Sequence, residues 1–238
     1  MQKDSGPSSE LATPSKVRLI LTAEELFAER GIEGVSLREI SLAAGQGNNA
    51  AVQYHFKTRQ GLVAAIFDYR VAQMDRIRSE ALARLFDAGE ERDLRSLLMV
   101  LLLPHLELAD ERGTHPHARF LSQYVTRYRP AGMPHISTEA ATAAALMKIT
   151  NLIYDRVSLP RELARKRLEL VMLLFLSMLI RYDVGTQAGH PQPSLQEQVE
   201  DTLDMALAAL TVPRPASRSR FSVGGWLSQM SSPPADGE

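Results

Sequence analysis

Two short stretches concentrate side chains able to do chemistry. "THPH" (114–117) sets His115 and His117 at i, i+2, and a proline-containing turn could splay the two imidazoles toward a metal. No carboxylate or third histidine lies at ligand spacing, so the pair reads as a solvated loop. The second stretch, "GQGNNAAVQYHFKTR" (45–59), combines glycines, side-chain amides, aromatics and bases. Its glycines could cradle a phosphate, but the lysine and preceding strand of a nucleotide loop are missing. Glutamine and asparagine can pair bidentately with adenine, while lysine and arginine neutralise phosphates. Recognition of nucleic acid is one chemistry this set could do; an idle surface loop is the other reading. No nucleophile elbow or dinucleotide fingerprint appears, so no enzyme activity, cofactor or metal is expected.

These residues depend on the elements that position them. Thr13-Pro14 supplies a helix N-cap and a proline at the first helical position. Ile20, Ala23, Leu26 and Phe27 follow at helical spacing, and Gly31 stops that helix. "SLRE" (36–39) is a capping box opening a short helix that turns Leu37, Ile40 and Ala44 inward and ends at Gly45. A third short helix is expected over about Asn49–His55, and Thr58 can cap a long helix to about Leu85. Further helical patterns cover about 93–111, 116–129, 137–157, 160–184 and 194–210, separated by turn-rich segments. With no useful strand alternation, the fold class is all-α. The expected organisation is a disordered N-terminus (1–12), a helix-turn-helix head (13–58), a larger helical body (59–212) and a Pro/Ser/Gly-rich tail (213–238). Trp226 lies in that tail and reads as a stray aromatic.

Composition sets outer bounds. A chain of 238 residues, 45% hydrophobic, can bury a proper core. Its formal net charge of −1 gives no global basic field, so any nucleic-acid surface must be local. Cysteine is absent, which excludes disulfides and thiol chemistry and suits a reducing cytoplasm. The N-terminus carries no apolar signal segment, and the most apolar run, "LELVMLLFLSMLI" (168–180), is too short for a bilayer. Cytoplasmic localisation without membrane partners is the expectation.

Helix two, a turn and helix three have the proportions of a helix-turn-helix. The ordered array "ILTAEELFAERGIEGVSLREIS", then "AAG", then "VQYHFKTRQGL" resembles the TetR family of bacterial transcriptional regulators. The resemblance covers residues 16–67; beyond it only helix pattern and length agree. Phe56, Thr58 and Arg59 stand where that family closes its reading helix and opens its fourth. Two departures stand out: one extra residue within "GQGNNA", and Gln53 where the family usually has tyrosine. On this reading Gln46, Asn48, Asn49, Ala50 and Gln53 lie near base edges of double-stranded DNA. Tyr54, His55, Lys57 and Arg59 contact phosphates, and Ser36 donates to one from the start of helix two. His55 serves equally well as a partly buried cap, and Val52 and Phe56 read as core anchors.

The resemblance also implies a homodimer on a palindromic operator, built by the last two long helices. The expected interface is Leu168, Met172, Phe175 and Leu179 with Leu195, Val199, Leu203 and Ala206. The apolarity of helix 160–184 on nearly every side supports this in part. A small, largely apolar effector would bind the middle helices. Phe120, Tyr124 and Tyr128 share one helical face, Met147, Asn151 and Tyr154 recur at i, i+4 and i+7, and Phe175 adds an aromatic wall. Met99, His105 and Met178 are weaker additions. Repression is the family's commoner habit; activation, or an all-helical protein-interaction module without DNA binding, are the alternatives.

Overall fold

A computed structural model describes residues 13–46, 51–128 and 143–213, and within them every regular element is helical. Thr13 caps α1 (Pro14–Arg30) through its hydroxyl, which accepts from Lys16 N, and Pro14 sits in the first turn. The capping box forms as expected. Ser36 Oγ accepts from Glu39 N at 3.2 Å, and the Glu39 carboxylate accepts from Ser36 N at 2.7 Å, opening α2 (Leu37–Ala43). These bonds, with Arg30 behind them, hold the Glu39 carboxyl at about 2, so it stays ionised.

Helix α2 stops in a Schellman turn. Gly45 takes φ +68°, its N–H reaches Leu42 O, and Gln46 N–H reaches Ser41 O. The reading helix α3 is Ala51–Phe56; the Asn49 start expected from sequence lies outside the described residues. Thr58 then caps α4 (Arg59–Asp87), its hydroxyl accepting from Gly61 N at 3.0 Å. Leu19, Ala23, Phe27, Ile40, Val52, Leu62 and Ile66 are fully or almost fully buried, so α1 to α3 and the start of α4 share one core.

The body follows with α5 (Leu94–Leu102), a 3-10 turn (Leu103–Leu108) and α6 (Pro116–Gln123). A π turn (Tyr124–Tyr128) precedes α7 (Ala144–Arg156), α8 (Arg161–Gln187) and α9 (Leu195–Thr211). The single sequence pattern over 93–111 thus divides into an α-helix and a 3-10 turn at Pro104, whose ring removes a helical donor. Head and body are packed against each other through α1 on α6 and α1 on α4. Gln123 Nε2 donates to Ala28 O across that junction at 2.9 Å. Helix α7 lacks a capping side chain of its own. Asp75, from α4, supplies the acceptor, taking Ala145 N–H at 3.0 Å and Leu146 N–H at 2.8 Å. Among the described residues no helix is long and apolar enough to cross a membrane.

Candidate functional site

The head presents a short helix whose two faces differ sharply. Val52 and Phe56 point into the core, as their spacing requires, while Gln53 and Tyr54 point outward. Tyr54 is 82% exposed, unusual for an aromatic, and its ring meets His55 edge-on at 5.0 Å. His55 is half-buried between Tyr54 and Phe56. Lys57 is exposed with φ +62°, a left-handed conformation that costs a lysine energy, and the corner it forms projects the side chain outward. Ser36 lies exposed at the start of α2, and Gln46 is half-buried just after it. Asn48, Asn49 and Ala50, and with them the extra turn residue, lie outside the described residues.

Arg59 differs from its neighbours. It is half-buried, and its Nη1 donates to Ile32 O, tying the start of α4 to the loop before α2. That bond engages a guanidinium read from sequence as a phosphate contact. On α1, Glu25 pairs with Arg112 at 3.2 Å, and Glu24 is buried.

The two histidines of "THPH" overturn the solvated-loop expectation. Both are buried, because α6 begins at Pro116 and presses them between α1, α4 and α8. His115 Nδ1 meets Asp183 Oδ1 at 2.8 Å, and His117 Nδ1 meets Glu24 Oε1 at 2.7 Å. The same Glu24 accepts from Arg70 Nε at 3.0 Å. Burial alone would raise the Glu24 pKa, but bonding to His117 and Arg70 outweighs it and brings the carboxyl below its usual range. Among the described residues no group of three or more such side chains is gathered as a metal ion would need.

A cavity of about 430 Å³ opens between α4, α6, α7 and α8 and the 3-10 turn. Its walls are mainly apolar, with Phe67, Val71, Met74, Leu121, Val125, Leu146 and Met172 among them. Of the effector residues read from sequence, Met147 and Tyr154 line it, and so does His105. Phe120, Tyr124, Tyr128, Asn151 and Phe175 are not part of its wall. Phe120 is core, stacked with Phe27 at 6.3 Å and tilted on Phe67 at 5.3 Å, and Phe175 is fully buried. Tyr124 packs edge-on to Phe67 at 4.5 Å, and Tyr128 lies beside it. Asn151 is exposed and accepts from Arg161. Sequence reasoning missed Arg78, fully buried in the wall; a lone arginine inside an apolar stripe was the only signal.

Most of the residues expected at a dimer interface are covered within the subunit. Leu168, Phe175, Leu179, Val199, Leu203 and Ala206 are buried, Met172 lines the cavity, and Leu195 is half-buried against the core. Periodicity marked the apolar faces of α8 and α9 correctly but not which neighbour covers each. The large apolar side chains left exposed there are Leu170, Val184, Met205 and Val212.

The α2–turn–α3 arrangement defines a helix-turn-helix protein. Residues 19–66, which form this head, match the family model of the bacterial regulatory proteins of the tetR family. The chain is 35% identical over 85 residues to the HTH-type transcriptional repressor Rv3405c of Mycobacterium tuberculosis. An equal match is found to the HTH-type transcriptional regulator Mb3439c of Mycobacterium bovis. These matches span 35% of this chain and 45% of the relative, less than half the length of either relative. Among solved structures, a TetR transcriptional regulator from Legionella pneumophila aligns over 85% of this chain and 100% of its own, at 12% identity and TM-score 0.49. The TetR-family regulator PfmR from Thermus thermophilus aligns over 86% and 100%, at 18% identity and TM-score 0.45.

Proposed function

We propose that the chain is a sequence-specific, DNA-binding transcriptional regulator that acts as a homodimer in the cytoplasm and answers to a small apolar effector. The observation that carries this reading is α3, anchored by Val52 and Phe56, with Gln53 and Tyr54 turned to solvent beside the outward Lys57. In this division 13–58 is the reading head, 59–212 the sensing and dimerising body, and 1–12 and 213–238 are tails. Gln46 and Gln53 serve as base readers with Asn48, Asn49 and Ala50. Ser36, Tyr54, His55 and Lys57 hold phosphates. Arg59 acts first through Ile32 O, orienting α4 beneath the DNA.

Two copies meet through the exposed apolar face of α8 and α9 that carries Leu170, Val184, Met205 and Val212. The pair sets two reading helices one DNA turn apart, which suits a palindromic operator. Effector control runs from the cavity to the head: His117 lines the cavity and is bonded to Glu24 of α1, which also holds Arg70 of α4. A ligand that shifts His117 therefore acts on α1 and α4 together. Repression is supported by the relative named a repressor.

The test is operator selection from random duplexes followed by fluorescence anisotropy over a salt series. Gln53→Ala should change the preferred sequence, whereas Lys57→Ala should weaken all duplexes and lower the salt slope by about 1. Failure of the purified protein to prefer any duplex would remove the reading.

A further inference from the structure

Arg78 is a buried arginine without an ion-pair partner among the described residues. Only 1% of its surface is exposed. Its Nε and Nη2 are directed at Leu101 O, at 3.4 and 3.0 Å, and Nη2 also reaches Met74 Sδ at 3.7 Å. Nη1 is buried without a hydrogen-bond partner among the described residues. Asp75, whose charge acts on Arg78 from one turn away on α4, uses both of its oxygens on the N–H groups that open α7. A second such group lies in the same wall: His105 is 3% exposed, and neither ring nitrogen has a hydrogen-bond partner among the described residues. It stacks on His117, with ring centroids 5.9 Å apart. Burying a guanidinium and an imidazole unpaired is costly, and natural folds keep such groups where a partner arrives. Both line the apolar cavity, whereas Met147 and Arg165 stand exposed at its edge.

Resting on the effector reading above, we propose that the ligand is an apolar carboxylic acid whose carboxylate is held by Arg78 and His105. The guanidinium offers Nη1–H, the neutral imidazole offers its single N–H, and the hydrocarbon body fills the space among Phe67, Val71, Leu121 and Leu146. The same contact joins α4, through Arg78, to the 3-10 turn through His105.

The experiment compares octanoate, decanoate and phenylbutyrate with their methyl esters, using displacement of Nile red, a neutral apolar dye, and calorimetry at neutral pH. At least one acid should bind about tenfold or more tightly than its own ester, the scale of a charge-assisted hydrogen bond. Arg78→Met should abolish that preference while Nile red still binds, and His105→Leu should reduce it. Because Arg78 also holds Leu101 O, the wild-type acid-to-ester ratio and His105→Leu decide the matter if Arg78→Met does not fold. Esters that match or exceed their acids overturn the carboxylate assignment and leave the apolar cavity as an effector site. Failure of Nile red and of every acid to bind overturns both.

Discussion

Glu24 belongs to the head by sequence and to the body by contact. Its carboxylate is bonded to Arg70 and His117, both from outside the first three helices. Glu24→Gln leaves the buried Arg70 guanidinium without its counter-charge, and should destabilise the fold by about 3 kcal/mol in urea denaturation at neutral pH. Because the folded-state pKa is lowered, this contribution is present above the unfolded value of 4.5 and fades as pH falls through the folded one. The wild-type and Glu24→Gln stability curves should therefore converge in acid. His105 works on a different window. Burial, and then the Arg78 charge, hold its pKa well below 6.5, so the unfolded chain binds a proton that the folded chain refuses. Stability from this site is complete above pH 6.5 and declines below it, and His105→Leu should flatten that part of the pH profile.

At the scale of elements, the corner between α3 and α4 carries the most specific demands. Gly61 lies so close to Phe56 that an added Cβ would stand 2.2 Å from its carbonyl oxygen. Gly61→Ala must therefore push the two helices apart and should unfold the head, seen as lost amide-exchange protection over α1 to α3. Lys57 makes the opposite trade. Glycine at this left-handed position relieves about 1 kcal/mol of backbone strain while removing a charge from the proposed DNA surface. Lys57→Gly should raise the thermal midpoint and weaken duplex binding in the same protein. A gain in both would mean that Lys57 does not face DNA.

For the whole molecule, the proposed dimer surface is the set of exposed apolar side chains on α8 and α9. Leu170 is 65% exposed, and Val184, Met205 and Val212 lie on the same two helices and their C-terminal edge. Leu170→Glu with Met205→Glu should give a folded monomer in sedimentation, with operator affinity sharply reduced because the second reading head is lost. Leu179→Ala, a fully buried position expected from sequence at the interface, should instead cost about 3 kcal/mol of fold stability without changing the association state.

The local chemistry of the head was legible in the residues alone. Thr13, the Ser36–Glu39 box, Gly45 and Thr58 act on backbone groups close to them in the chain, so short sequence windows contain all that decides them. The inward set of Val52 and Phe56 followed from helical spacing for the same reason. What a window cannot contain is the identity of the element across the core. Periodicity marked α8 and α9 as apolar, but packing against α5, α6 and α7 within the subunit decided which stripe was covered and which left bare. "THPH" looked like a solvated turn because its partners, Glu24 and Asp183, lie 93 and 68 residues away. His105 stood only as a weaker effector residue in the sequence, and Arg78 only as a lone arginine inside an apolar stripe. Their meaning comes from the cavity that separate segments of the chain enclose, and from hydrogen-bond partners that the described residues do not supply.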